Sequence, residues 1–146
     1  MNNYFIHCVA VEDLYEKIVT QVSERYGLTY MELTILLFLT NYPQYDTATE
    51  IIKVRKLSKS HASLSIRSLQ EQGLLEGEHQ GGDHRTIHLH TTAAAAKIIE
   101  DGRAAQARFY EIAFAGFSEN DMAMIRQGMQ RINQNIEDFT EKSNMK

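Results

Sequence analysis

At 146 residues, 43% hydrophobic and 23% charged, the chain has the make-up of one ordinary globular domain, large enough to bury a core. A single cysteine excludes a disulfide framework and a cysteine-rich zinc motif, and no apolar run approaches a membrane span, so a reducing, cytoplasmic setting is expected. The net charge of -4 is unfavourable for a polyanionic partner if taken whole, but it is unevenly placed.

Residues 1–50 hold seven acids and two bases, whereas residues 51–70 hold Lys53, Arg55, Lys56, Lys59 and Arg67 and no acid. A basic stretch inside an acidic protein is a local electrostatic footprint for nucleic acid. The opening MNNYFIHCVAVEDLYEK has no basic leader and meets Glu12 and Asp13 before any apolar run develops, so no signal peptide is expected.

From Tyr4 to Tyr26, Phe5, Val9, Leu14, Ile18 and Val22 recur at roughly helical spacing, and Gly27 stands where a helix ends. Thr29 and Glu32 form a capping-box pattern ahead of LTILLFL, a buried second helix that must stop near Pro43. Thr47 and Glu50 repeat the pattern and open a short third helix to about Lys56. Leu57 and Ser58 make a turn in which Ser58 caps a fourth helix. Along that helix Ala62, Ile66 and Leu69 share one face, and Gly73 closes it.

In TIHLH the period changes to two, with Ile87 and Leu89 predicted on a buried face. Leu74 to Glu78 is the partner strand, and the glycine pair Gly81–Gly82 lies in the hairpin loop. Thr91 or Thr92 is expected to cap a long helix ending at Gly116. Ser118 and Asp121 then open a last helix with Met122, Ile125, Met129, Ile132 and Ile136 on one face. The fold class is therefore mainly α with a small β-hairpin wing: a winged helix-turn-helix flanked by terminal helices.

The first helix and the last two carry more apolar surface than a core of this size covers, which predicts a twofold homodimer. The expected organisation is a single unit over 1–146, with 29–92 binding DNA and 1–27 and 93–146 forming the dimerisation helices. A polar, basic helix over 58–72 next to a basic hairpin tip suits the two grooves of duplex DNA. Arg85 is placed for a narrow minor groove, with Asp83 orienting its guanidinium through a charge-assisted hydrogen bond. Lys59 and Arg67 are assigned to phosphates or base edges, as are His61 and Ser63, and Leu64 to a thymine methyl, with a helix-surface ion pair the alternative for Arg67 and a place in the core the alternative for Leu64.

No Ser-His-acid arrangement, phosphate-binding glycine loop, HExxH motif or dinucleotide fingerprint is present, so no catalytic residues and no cofactor are expected. Two side readings attach to particular residues. The histidines His79, His84, His88 and His90 invite a metal site, although they lack a recognised ligand spacing, and Cys8 invites a redox sensor. A wing that pairs only with protein is a third alternative, but it has no need of positive charge on both elements. An effector pocket, if present, is expected between the winged unit and the dimerisation helices, with Tyr15, Tyr26, Tyr30, Phe38, Phe109 and Tyr110 as candidate lining residues and plain core packing as their alternative role.

The stretch TATEIIKVRKLSKSHASLSIRSLQEQGLLEGE with GGDHRTIHLHTT resembles the MarR family of transcriptional regulators, and helix order extends the likeness over nearly the whole chain. The family's Asp-x-Arg wing element is matched by Asp83, His84 and Arg85. The resemblance implies a homodimer joined by its first, fifth and sixth helices. It also implies a fourth helix in the major groove, a wing arginine in the minor groove, an inverted-repeat operator in double-stranded DNA, repression, and relief by a small-molecule effector. The DNA-binding residues it implies are Ser58, Lys59, Ser60, His61, Ser63, Leu64, Arg67, Asp83, His84 and Arg85. The chain departs from the family pattern at Leu64, where an arginine is common, at Ser65, where an apolar residue is usual, and at Thr91, where leucine is common. An alanine also replaces the glycine often seen early in the fifth helix.

Overall fold

The computed structural model describes residues 4–145, with side chains from Cys8 onward; the predicted inward side chain of Phe5 lies outside the described residues. In chain order these form α1 (Tyr4–Arg25), α2 (Tyr30–Asn41), α3 (Ala48–Arg55), α4 (Lys59–Glu71), β1 (Leu75–Glu78), β2 (His88–Thr91), α5 (Ala96–Ala113) and α6 (Glu119–Asn144). They divide into two compact units, one running to Tyr110 and the other from Glu111. None of the described helices is long and apolar enough to cross a membrane.

The centre of the first unit is α2, whose residues 32–39 are all buried. Such a helix, apolar on every side, must be covered on every side. Val19 and Val22 of α1, Ile51 of α3, Ile66 and Leu69 of α4, Leu75 and Leu89 of the ribbon, and Ile98 and Ala105 of α5 join it in one core. Gly102 of α5 makes close contact possible: a Cβ there would stand 2.8 Å from Leu37 Cδ2 and 3.3 Å from Leu33 Cδ1. In α1 burial begins only toward the C-terminal half, so Val9, predicted inward, is exposed.

Local signals set the helix ends as expected. The Thr29 hydroxyl accepts from the Glu32 amide at 3.1 Å, and Thr47 with Glu50 forms a complete capping box. The Glu32 carboxylate, itself buried, accepts from Gln72 Nε2 at 3.0 Å and so joins the start of α2 to the end of α4. That satisfies a polar group whose burial would otherwise be costly. Between α3 and α4, Lys56 adopts a left-handed conformation (φ 51°, ψ 47°), uncommon for a side-chain-bearing residue. This sharp bend delivers Ser58 as the cap of α4.

The ribbon is antiparallel, pairing Leu75 with Thr91 and Glu78 with His88. Two expectations fail here. Ile87 was placed on the buried face, but it precedes the strand and is 48% exposed; its Cγ2 would lie 2.7 Å from a Cβ on Gly77, so it rests over a bare stretch of the opposite strand. The cap expected of Thr91 or Thr92 is made by neither: Thr91 lies in β2, and Thr92 makes no side-chain cap bond, its hydroxyl donating to the Gly73 carbonyl at 2.6 Å. The helix enters instead through a 3-10 turn, Ala93–Ala95. Thr92 thus ties the outgoing strand to the end of α4.

The second unit consists of the last residues of α5, a turn with an edge-to-face contact between Phe114 and Phe117, and α6. Ser118 and Asp121 form the predicted capping box. No described residue of α6 is buried, and Ile125, Met129, Ile132 and Ile136 form an exposed apolar row at alternating spacings of four and three.

Candidate nucleic-acid interface

At about 100° per residue, the residues of α4 separate into two arcs. Ala62, Ser65, Ile66 and Leu69 are buried on one. Lys59, Ser60, Ser63, Leu64 and Arg67 are exposed on the other, within about 140° of each other, with His61 at its edge. Ser58 carries out the capping it was assigned: its hydroxyl accepts from the His61 amide at 3.5 Å, and it lies 3.2 Å from Ser60 Oγ. Leu64 is 63% exposed, which removes it from the core and leaves a branched apolar group on the polar arc. Among the described residues neither Lys59 nor Arg67 enters an ion pair, so both charges are open to solvent. Lys53, Arg55 and Lys56 extend the exposed basic run back through α3.

At the ribbon tip, Gly81, Gly82, Asp83, His84 and Arg85 are all exposed. Asp83 does not hold the Arg85 guanidinium as the sequence suggested. Its Oδ1 accepts from the Arg85 amide at 2.9 Å and the Thr86 amide at 3.4 Å, an Asx turn that fixes the backbone. These amide bonds to Arg85 and Thr86 hold the Asp83 carboxyl below its ordinary pKa. The Arg85 side chain is in no ion pair among the described residues. What the carboxylate sets is where the arginine starts from.

The base of the ribbon is fastened to the helix-turn-helix. The Leu89 amide donates to the Asp46 carbonyl at 2.7 Å, and His88 Nδ1 lies 2.8 Å from Asp46 Oδ1, just ahead of the Thr47 cap of α3. His90 Nε2 lies 2.8 Å from Glu78 Oε1, while the His79 and His84 rings meet edge to face at 5.8 Å. His79 Nδ1 donates to the Thr86 carbonyl at 3.0 Å. The histidines are thus split into the touching His79 and His84, His88 on Asp46 and His90 on Glu78, and among the described residues no group of three or more ligand-type side chains is placed to hold a metal ion. Sequence reasoning missed the Asp46 fastening altogether. Its only sequence signal is an aspartate immediately before a helix cap.

Cys8 is exposed on α1. A cavity of about 510 Å³ lies within the first unit, and Tyr15, Tyr30, Phe38, Phe109 and Tyr110 line it as expected. Tyr26 does not; its hydroxyl donates to Asp101 at 2.6 Å.

Comparisons with known proteins agree with this architecture. Residues 26–86 match the model of the MarR family. No curated protein matches the sequence. Among solved structures, the chain is similar to a MarR-family transcriptional regulator from Listeria monocytogenes complexed with a 26mer DNA, with TM-score 0.83 and 16% identity over 94% of this chain and 91% of that one. It is similar to a MarR protein from Peptoclostridium difficile, with TM-score 0.77 and 17% identity over 94% and 90%. It is also similar to MepR of S. aureus in complex with DNA, with TM-score 0.70 and 16% identity over 93% and 98%. Residues 26–86 thus match the MarR family model, and nearly the whole chain shares the winged helix-turn-helix fold of MarR-family structures.

Proposed function

We propose that the protein is a DNA-binding transcriptional regulator, a repressor acting in the cytoplasm as a homodimer on an inverted-repeat operator. The observation that carries this reading is the exposed arc of α4, where Lys59, Ser63, Leu64 and Arg67 stand together, with a second basic element, Arg85, on the adjoining ribbon. Lys59 and Arg67 contact phosphates or base edges, and Ser58, Ser60, His61 and Ser63 add short polar contacts. Leu64 meets a thymine methyl in the major groove. Arg85 enters the minor groove with His84 beside it, and Asp83 shapes the turn between them.

In this reading residues 29–92 contact DNA, while 1–27 and 93–146 pair two subunits, the apolar row on α6 supplying part of the contact. Two copies are needed because recognition helices reading successive major grooves must lie about 34 Å apart. A small ligand relieves repression by favouring a dimer geometry that loses this spacing. That the Listeria and S. aureus structures contain DNA supports the assignment of the interface.

The test is fluorescence anisotropy with a labelled duplex from the DNA flanking the protein's own gene, chosen for an inverted repeat. Saturable binding by a dimer is expected, with affinity falling steeply as salt rises, since each neutralised phosphate releases about 0.9 of a counterion. A salt-independent titration, or a triple Lys59→Ala, Arg67→Ala, Arg85→Ala variant that binds as well as the parent, would refute it.

A further inference from the structure

The cavity of the first unit has walls from α1, α2, α3 and α5, and its volume of about 510 Å³ falls in the range of small-molecule pockets. Its aromatic walls are fixed. The Tyr15 ring meets Phe109 edge to face at 5.2 Å, and the Tyr15 hydroxyl accepts from Gln106 Nε2 at 2.8 Å. Gln106 Oε1 in turn accepts from Asn41 Nδ2 at 3.2 Å, so one chain of hydrogen bonds crosses α2, α5 and α1. Burial raises the pKa of the Tyr30 hydroxyl, which stays a neutral hydrogen-bonding group in the wall.

The charges give the cavity a sign. Glu12 and Glu16, one turn apart on α1, both line it, and against them Arg55 of α3 is the single cation among the described lining residues. None of the three is in a direct ion pair among the described residues. Ring faces carry negative potential and add to the two carboxylates. A ligand carboxylate entering here would meet two like charges and one opposite charge.

We propose that this cavity binds a flat aromatic molecule carrying a protonated amine, the ammonium beside Glu12 and Glu16 and the ring against Tyr15 and Phe109. As the class of effector, it rests on the regulator reading above. The bound cation repels Arg55, which ends the helix that leads through the Lys56 bend into α4, and occupancy reaches the DNA-reading helix by that route. The effect is a population shift, set by how differently the two arrangements bind the ligand.

The experiment uses the full chain and two near-isosteric probes, tyramine and hydroxyphenylpropionate, which present an amine or a carboxylate on the same phenol. Calorimetry should show tyramine binding at least about tenfold more tightly, and a Glu12→Gln, Glu16→Gln double variant should lose that preference while melting at the parent temperature. Equal or tighter binding of the carboxylate, an unchanged preference in the double variant, or no binding of either probe at millimolar concentration overturns the proposal. DNA titrations run with and without tyramine separate the two ideas. Absent DNA binding with intact tyramine selectivity refutes the regulator reading alone. Normal DNA binding without tyramine selectivity refutes the cavity assignment alone.

Discussion

Asp83 offers a sharp test, because in the proposed interface its structural role and its charge should act in opposite directions on DNA affinity. Its Oδ1 accepts two amides, from Arg85 at 2.9 Å and Thr86 at 3.4 Å. Asparagine keeps that acceptor and removes the negative charge, whereas alanine removes both. With alanine the turn loses one good hydrogen bond and one weak one, both at an exposed tip. If that ordering is needed before Arg85 can enter the groove, Asp83→Ala should weaken binding about 2- to 12-fold. Asp83→Asn should bind as well as the parent or somewhat better, since a carboxylate near a polyanion is repelled. Arg85→Ala sets the scale, with an expected loss of about 1–3 kcal/mol. All three proteins are measured by anisotropy on the same duplex at one salt concentration. If Asp83→Asn falls as far as Asp83→Ala, the charge matters more than the turn and the Asx account is wrong.

Three further outcomes follow from the packing and the polar contacts. The Asp101 carboxyl is held below its ordinary pKa by the Tyr26 hydroxyl and then by Lys97. The stabilisation it brings is complete above about pH 4 and is lost as pH falls through the lowered folded value, so Asp101→Asn should flatten that acid limb in urea unfolding followed across pH. Thr92→Val keeps the side-chain shape and removes the 2.6 Å bond to the Gly73 carbonyl; a loss of about 0.5–1.5 kcal/mol in urea unfolding is expected, and no loss would deny that bond a part in holding the ribbon. Leu69→Ala, at a fully buried position on α4, should cost about 2–5 kcal/mol in the same assay, and a cost typical of a surface site would contradict its burial.

Most of the architecture was legible because four of the six helices are announced twice, by a polar cap and by apolar spacing. Thr29, Thr47, Ser58 and Ser118 all cap as read. The misreadings lie where two chemistries compete for one side chain. Thr92 looked like a cap because a hydroxyl before an alanine run normally is one, but its side chain is turned to the end of α4, where it donates to the Gly73 carbonyl, and accepts no helix amide. Ile87 looked inward by strict alternation, yet the strand begins one residue later, and Gly77 opposite leaves its side chain a bare surface to rest on. Asp83 and Arg85 suggested an ion pair by charge alone; sequence spacing cannot tell a side-chain pair from an Asx turn. In the proposed interface, exposure of the α4 residues followed from period alone. The Asp46 contacts did not, because they join positions more than forty residues apart, beyond the reach of any local pattern.

Asp46 grips β2 twice, through its carbonyl and through its carboxylate, directly ahead of α3. The hairpin is therefore no free whisker but part of one solid jaw with the helices beside it. The base of such a jaw cannot shift without carrying the start of α3 along. In the proposed regulator, a signal that moved α3 would therefore move the foot of the wing with it.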